Sequence, residues 1–407
     1  MAPFGATTRD ENLRSLLGAS FSGERWSPKR ASAHWLAKAE SRSRLRLERD
    51  HRSVTVAAPI GFGRFAFWVT GDKKRSPVPL SVKLVGMQYR KLGRTGFEVS
   101  DIGYGAWGIG GKQWLGGADD ESLAALRRAI ELGVNLIDTA LAYGDGHSEE
   151  LVGEVVRRTP TKIYVATKVP PKNRVWPANP ATPIEDVFPY EYIVASAEES
   201  LRNLKLDTID LLQLHVWNDA WVKREEWRRA LEDLKRAGKI RAIGISATEH
   251  DPGSALAVMR TGVIDAVQVI YNIFDQTPET AMFPLAQELN IGILARVPLD
   301  EGALSGTMTS DTTFPPGDFR EFYFKGDRKC QVVEHVTALK KDLGENVSLP
   351  ETALRFCLSH PAVTSVIPGM RTVRHVESNA AQSNLGPLDP ATLAVLKQHA
   401  WDRNFYS

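Results

Sequence analysis

Cysteine is nearly absent from this chain: Cys330 and Cys357 are its two thiols in 407 residues. Two thiols exclude a disulfide framework and a thiolate zinc site, and a reducing, cytoplasmic compartment is the expectation. No apolar run reaches the roughly 18–20 residues that a membrane-crossing helix needs. No strand end carries an H-x-H pair. Asp138, His147, His215 and His250 could supply metal ligands, but Lys168 among them would repel a cation, so no metal is expected. A glycine-rich dinucleotide fingerprint is missing as well. GYGAWGIGG has G-x-G spacings, but Trp107 and Trp114 crowd that loop and no ribose-binding context follows Asp138.

What is present is an ordinary globular composition, 43% hydrophobic and 25% charged. The net charge of +2 conceals an asymmetry. Residues 1–86 hold 16 Lys and Arg against 7 Asp and Glu, whereas the other 321 residues hold 35 against 42. Runs such as SRSRLRLERDHRS leave a basic tail or a transit peptide open for the first segment. The favoured reading is a poorly ordered, non-functional extension, because Met87 begins MQYRKLGRTG like a natural protein start. Neither nucleic acid nor membrane is an expected partner.

From Met87 the texture changes. YRKLGRTGFEVS predicts a hairpin about Arg94-Thr95-Gly96. Eight continuously apolar segments follow: DIGYG, VNLID, IYVATK, IDLLQLH, IRAIGIS, DAVQVIY, IGILAR and TSVIPG. Helical patterns alternate with them, as at Leu123, Leu126 and Ile130 before Gly133, and at Trp227, Leu231 and Leu234. Further helix starts are expected at Asp251-Pro252 and at the capping box Ser348-x-x-Glu351. Strands apolar on both faces are covered on both faces. Eight such βα units over 87–407 predict an α/β fold, a (β/α)8 TIM barrel preceded by the hairpin. An open doubly wound sheet is the alternative.

Three of these runs end in Asp138, Lys168 and His215, and Tyr143 follows Asp138 by five residues. Parallel strands bring their C-terminal ends to one face, so these four residues can share a cleft. There they form a proton-transfer unit. Reducing a carbonyl leaves an alkoxide that needs a proton, and a phenol beside an ammonium can give one. The ammonium is expected to lower the phenol pKa, and Asp138 to hold Lys168 charged. Each residue also has a plain structural reading, as a helix cap, a packed ring, a solvated lysine or a core histidine. It is their joint placement that argues for an enzyme.

From Met87 to about Asn384 the chain resembles an aldo-keto reductase of the bacterial type. The resemblance rests on GYGAWGIGG, NLIDTALAYGDGHSEELVGE, VATKV, IDLLQLH, GKIRAIGIS, ILARVPLDEGALSG and VIPGMRTVRHVESNA, in order at every strand end. It implies that Asp138, Tyr143, Lys168 and His215 are catalytic and that NADPH is the cofactor. Ser246 and Gln268 would hold the nicotinamide amide, near Gly105 and Ala106. Ala247 stands where relatives often carry Asn, and Arg296 where many stack a tyrosine. Leu299 and Gly302 would meet the pyrophosphate, and Gly369, Arg371, His375 and Asn379 the adenosine phosphate. Trp107 would line a substrate pocket, Trp217 either that pocket or the core, and the proline-rich stretch 170–189 would shape access to it. The implied activity is reduction of a small carbonyl compound. The same scaffold run as a sugar or alcohol dehydrogenase, and a non-enzymatic cofactor-binding subunit, remain alternatives. Substrate and oligomeric state are not legible.

Overall fold

The computed structural model describes residues 86–344 and 346–406, together with the backbone of three short strands at Val54–Val56, Ala66–Val69 and Leu80–Ser81. Those three strands form a small antiparallel sheet, and the chain divides between Leu84 and Val85. The rest of the basic segment, and with it the expectation of poor order there, lies outside the described residues.

The second unit opens with the hairpin. Tyr89–Lys91 pairs antiparallel with Glu98–Ser100, and the chain reverses through Gly93–Thr95 and a left-handed Gly96. Eight parallel strands follow: Tyr104–Gly105, Leu136–Asp138, Tyr164–Val169, Ile209–Leu214, Ile240–Ser246, Ala266–Ile270, Gly292–Arg296 and Val363–Val366. Each pairs with the next in sequence order. Parallel bridges Ile102–Val366 and Gly105–Gly369 join first to eighth and close the barrel. The fourth strand is buried at all six positions, as a strand under helices and over a filled interior must be.

That interior is packed by Leu136, Ala166, Leu211, Ala242, Ala266 and Leu294, one from each of six strands. Leu92 and Val99 of the hairpin join the same cluster and plug the barrel at its N-terminal end. The opposite end is left open for chemistry.

The helices show where side-chain patterns alone mislead. In Asp119–Glu131 the buried stripe is Ser122, Ala125, Leu126 and Ala129, with Leu123 and Ile130 only partly buried. Three of the four buried positions are small residues, and the larger Leu123 and Ile130 flank the stripe. Asp251 stands at the N-cap position with Pro252 first, but its side chain makes no cap bond. Pro252–Ala255 and Leu256–Met259 are single turns, and the amides of Ala257 and Val258 are received by Asp219 from the loop after the fourth strand. Ser348 precedes Leu349–Ser359 without a side-chain cap bond, so that capping box does not form. A last helix, Pro390–Lys397, lies beyond those read from the sequence.

If the hairpin seals the barrel, Leu92→Ala should cost about 2–5 kcal/mol of stability. Urea unfolding should show this as an earlier transition, and an unchanged midpoint would mean the hairpin is not part of the core.

Candidate active site

All eight strands point the same way, so the residues ending them meet at one mouth. Asp138 ends the second strand, Lys168 lies one residue before the end of the third, and His215 follows the fourth. Lys168 is wholly buried. Its Nζ donates to Asp138 Oδ2 at 2.7 Å, to the Thr139 carbonyl at 2.8 Å and to Tyr143 Oη at 3.2 Å. On the other side, Asp138 Oδ1 accepts from Gln268 Nε2 at 2.8 Å and from Gln213 Nε2 at 3.3 Å. The His215 ring stands edge-on to Tyr143 with centroids 5.5 Å apart. The four residues therefore form one connected unit.

Burial pulls the Lys168 pKa down, but Asp138 and Tyr143 outweigh it, so the net direction is upward and the ammonium persists. His215 moves well below its ordinary value through burial and the nearby Lys168 and Arg296 charges, so it is neutral. For Tyr143 the direction is the reverse of the sequence expectation. Burial pushes the phenol up, and Lys168 pulls against it without prevailing. The neighbouring Asp138 charge adds to the upward push.

Asp138, Tyr143 and His215 floor a cavity of about 850 Å³. Gly105, Ala106, Ser246, Gln268, Arg296, Leu299, Gly302, Gly369, Arg371, His375 and Asn379 all line it. Backbone at Gly302 and Gly369 is open, since an added Cβ would meet nothing within 4 Å. Thr372 caps Val373–Ala381 by receiving the His375 amide, while Arg371 and Arg374 face the same end of the cavity. Open glycines, guanidinium groups and a helix start suit a phosphate-bearing cofactor.

The chain matches a model described as the aldo/keto reductase family over residues 101–400. It belongs to that family. It is 34% identical over 305 residues to the aldo-keto reductase YhdN of Bacillus subtilis, covering 72% of this chain and 87% of that protein. An NADH-specific methylglyoxal reductase of Escherichia coli is 29% identical over 325 residues, with 76% and 97% covered. The holo form of the aldo-keto reductase AKR11C1 from Bacillus halodurans superposes with a TM-score of 0.61 at 28% identity, covering 77% of this chain and 96% of that one. Members of this family are oxidoreductases that use nicotinamide cofactors.

Within this aldo-keto reductase Trp217 takes the second of its two expected placements. Trp217 does not line the cavity. Its ring is buried against Trp221 and Trp227, and its Nε1 donates to Asp219 Oδ1 at 2.9 Å. A tryptophan two residues past a strand end can turn to either side, and here the capping role of Asp219 draws it into the core. The aromatic wall is built by Trp107, Trp114, Phe319 and Trp176, the last from the proline-rich stretch. Arg296 stands in the cavity wall, where its Nη2 bonds Glu249 Oε1 at 3.1 Å and the Ala247 carbonyl at 3.2 Å.

Sequence reasoning missed Gln213, Glu249, Glu301 and Tyr406. Gln213 carried a signal, being a polar residue inside the apolar strand IDLLQL, two positions before His215. Tyr406 carried none, because its partner Glu301 is 105 positions away.

Trp217→Leu should lower the melting temperature by several degrees, and Trp176→Ala should leave it unchanged while weakening aromatic ligands. Differential scanning fluorimetry with and without ligand separates the two roles, and the reverse pattern would contradict the placement.

Proposed function

We propose that this protein reduces an aldehyde, ketone or sugar carbonyl to the alcohol with NADPH, and that Tyr143 is the proton donor. The observation that carries the reading is the buried chain Asp138–Lys168–Tyr143, with its 2.7 and 3.2 Å contacts opening on one cavity. The bound cofactor would supply hydride to the carbonyl carbon. As that carbon is reduced, its oxygen accumulates negative charge and takes the proton from Tyr143 Oη. The phenolate left behind lies against the Lys168 ammonium, which Asp138 keeps charged. His215 adds no second cation. Its Nδ1 is buried without a partner, and Nε2 is left to face the cavity and orient the carbonyl oxygen.

Arg371 and Arg374 support NADPH over NADH, since guanidinium groups pair phosphate oxygens. One relative is NADH-specific, so paired titrations with both cofactors test this point. The thiols, Cys330 exposed and Cys357 buried, are both free, which fits the cytoplasmic reading.

Tyr143→Phe should cut turnover by about 10²–10⁴-fold with NADPH affinity nearly unchanged. The protonated phenol is the active form in reduction, and its pKa is raised, so the rate should stay level through neutral pH and fall only above about pH 10. Steady-state rates alongside fluorescence binding decide it, and wild-type turnover by the variant would remove Tyr143 from this role.

A further inference from the structure

Arg296 ends the seventh barrel strand and stands in the cavity wall, held on Glu249 and the Ala247 carbonyl. Its charge reaches the proton-transfer unit, where it pulls down the proton affinity of both Tyr143 and His215. A fixed cation therefore borders the reacting centre. Two acids flank it. Glu249 is about nine-tenths buried, and its second oxygen, Oε2, has no partner. Glu301 lines the same cavity and accepts a 2.6 Å hydrogen bond from Tyr406 Oη. Neither acid has a part in proton transfer.

The hydride donor has to come within roughly 3–3.5 Å of the carbon whose oxygen faces Tyr143 and His215. A bound nicotinamide ring would thus share this part of the cavity with Arg296, which lines it together with Tyr143 and His215. The two redox forms of a nicotinamide ring differ by one positive charge, carried by the oxidised form. An uncompensated guanidinium would repel that form, and a compensated one would not.

We propose that Glu249 and Glu301 compensate the charge of Arg296 and so set the relative affinity of this protein for oxidised and reduced nicotinamide cofactor. The inference rests on the function proposed above and adds two residues that this function does not need. Glu249 supplies the constant part, since its ion pair with Arg296 fixes the guanidinium in place. Glu301 supplies a part that varies with pH. Burial pushes its carboxyl up to about 7, with the Tyr406 hydrogen bond, Arg296 and Arg320 pulling down and Asp300 pushing up. Asp300 is itself paired with Arg403 and near the Tyr323 hydroxyl. Tyr406 and Tyr323 are held well above the ordinary phenol range by burial and stay neutral. As pH rises through neutrality the cluster gains one negative charge, and the cationic form of the cofactor is favoured more.

The test is fluorescence titration of the full chain with NADPH and with NADP+, at pH 6 and pH 8. The 2′-phosphate is common to both ligands and cancels in the ratio of their dissociation constants. For wild type, the NADP+/NADPH ratio of dissociation constants should fall between pH 6 and pH 8. Glu249→Gln should raise that ratio about tenfold. Arg296→Met should lower it, and Glu301→Gln should remove its pH dependence. Should Glu249→Gln fail to fold, the opposite shift in Arg296→Met still reads the same charge. A ratio unmoved by Glu249→Gln or Arg296→Met, in a protein that binds both ligands, sinks the inference and leaves the proposed function standing. A wild-type protein that binds neither ligand overturns both.

Discussion

The structure turns on one buried ion pair. Taking an ammonium and a carboxylate out of water costs several kcal/mol each, and only good geometry with every remaining donor and acceptor satisfied recovers it. Asp138 and Lys168 meet that condition by sharing their surroundings. Lys168 spends its three protons on Asp138, the Thr139 carbonyl and the Tyr143 hydroxyl. The second oxygen of Asp138 is taken by two amides, from the sixth and fourth strands. Four strands must therefore be in register before the pair is tolerable, and a closed parallel barrel supplies that register through its backbone hydrogen bonds.

The same constraint explains how the cavity is walled. Its floor is set by strands, but one side depends on segments far apart in sequence. Asp300 and Glu301 both take positive φ, 50° and 53°, a left-handed conformation that favours glycine. They are held there by buried partners, Arg403 for Asp300 and Tyr406 for Glu301. The segment carrying those partners is itself anchored, with the Trp401 ring stacked on His335 at 3.8 Å. Strain in the loop after the seventh strand is offset by packing more than a hundred residues away.

That division decides what the sequence reveals. Continuous apolar runs report strands covered on both faces, so eight strands and their shared direction are legible, and with them the meeting of Asp138, Lys168 and His215. Trp217 is ambiguous in the sequence because an aromatic residue after a strand end serves core and cavity equally well, and its choice depends on Asp219, which accepts from its indole and from the amides of Ala257 and Val258. The turn beginning at Leu256 is capped by Asp219 and not by Asp251 for the same reason. Glu249, Glu301 and Tyr406 were invisible because each matters through a partner that no periodicity connects to it. Gln213 stands between these cases, since one polar residue in an apolar strand marks a place but not a role.

The phenol shows why the sign of a pKa shift has to be worked out against the reaction. A neighbouring ammonium suggests a more acidic tyrosine, yet burial wins and the proton is held more firmly. For a donor this is no defect. A phenol already ionised at neutral pH would have nothing to give. What the reaction requires is stabilisation that grows as the proton leaves, and a charge 3.2 Å away in a water-poor site supplies it only once the phenolate forms. The ammonium therefore acts on the difference between the two states, and burial, by strengthening that difference, works with it even while the two pull the resting phenol in opposite directions.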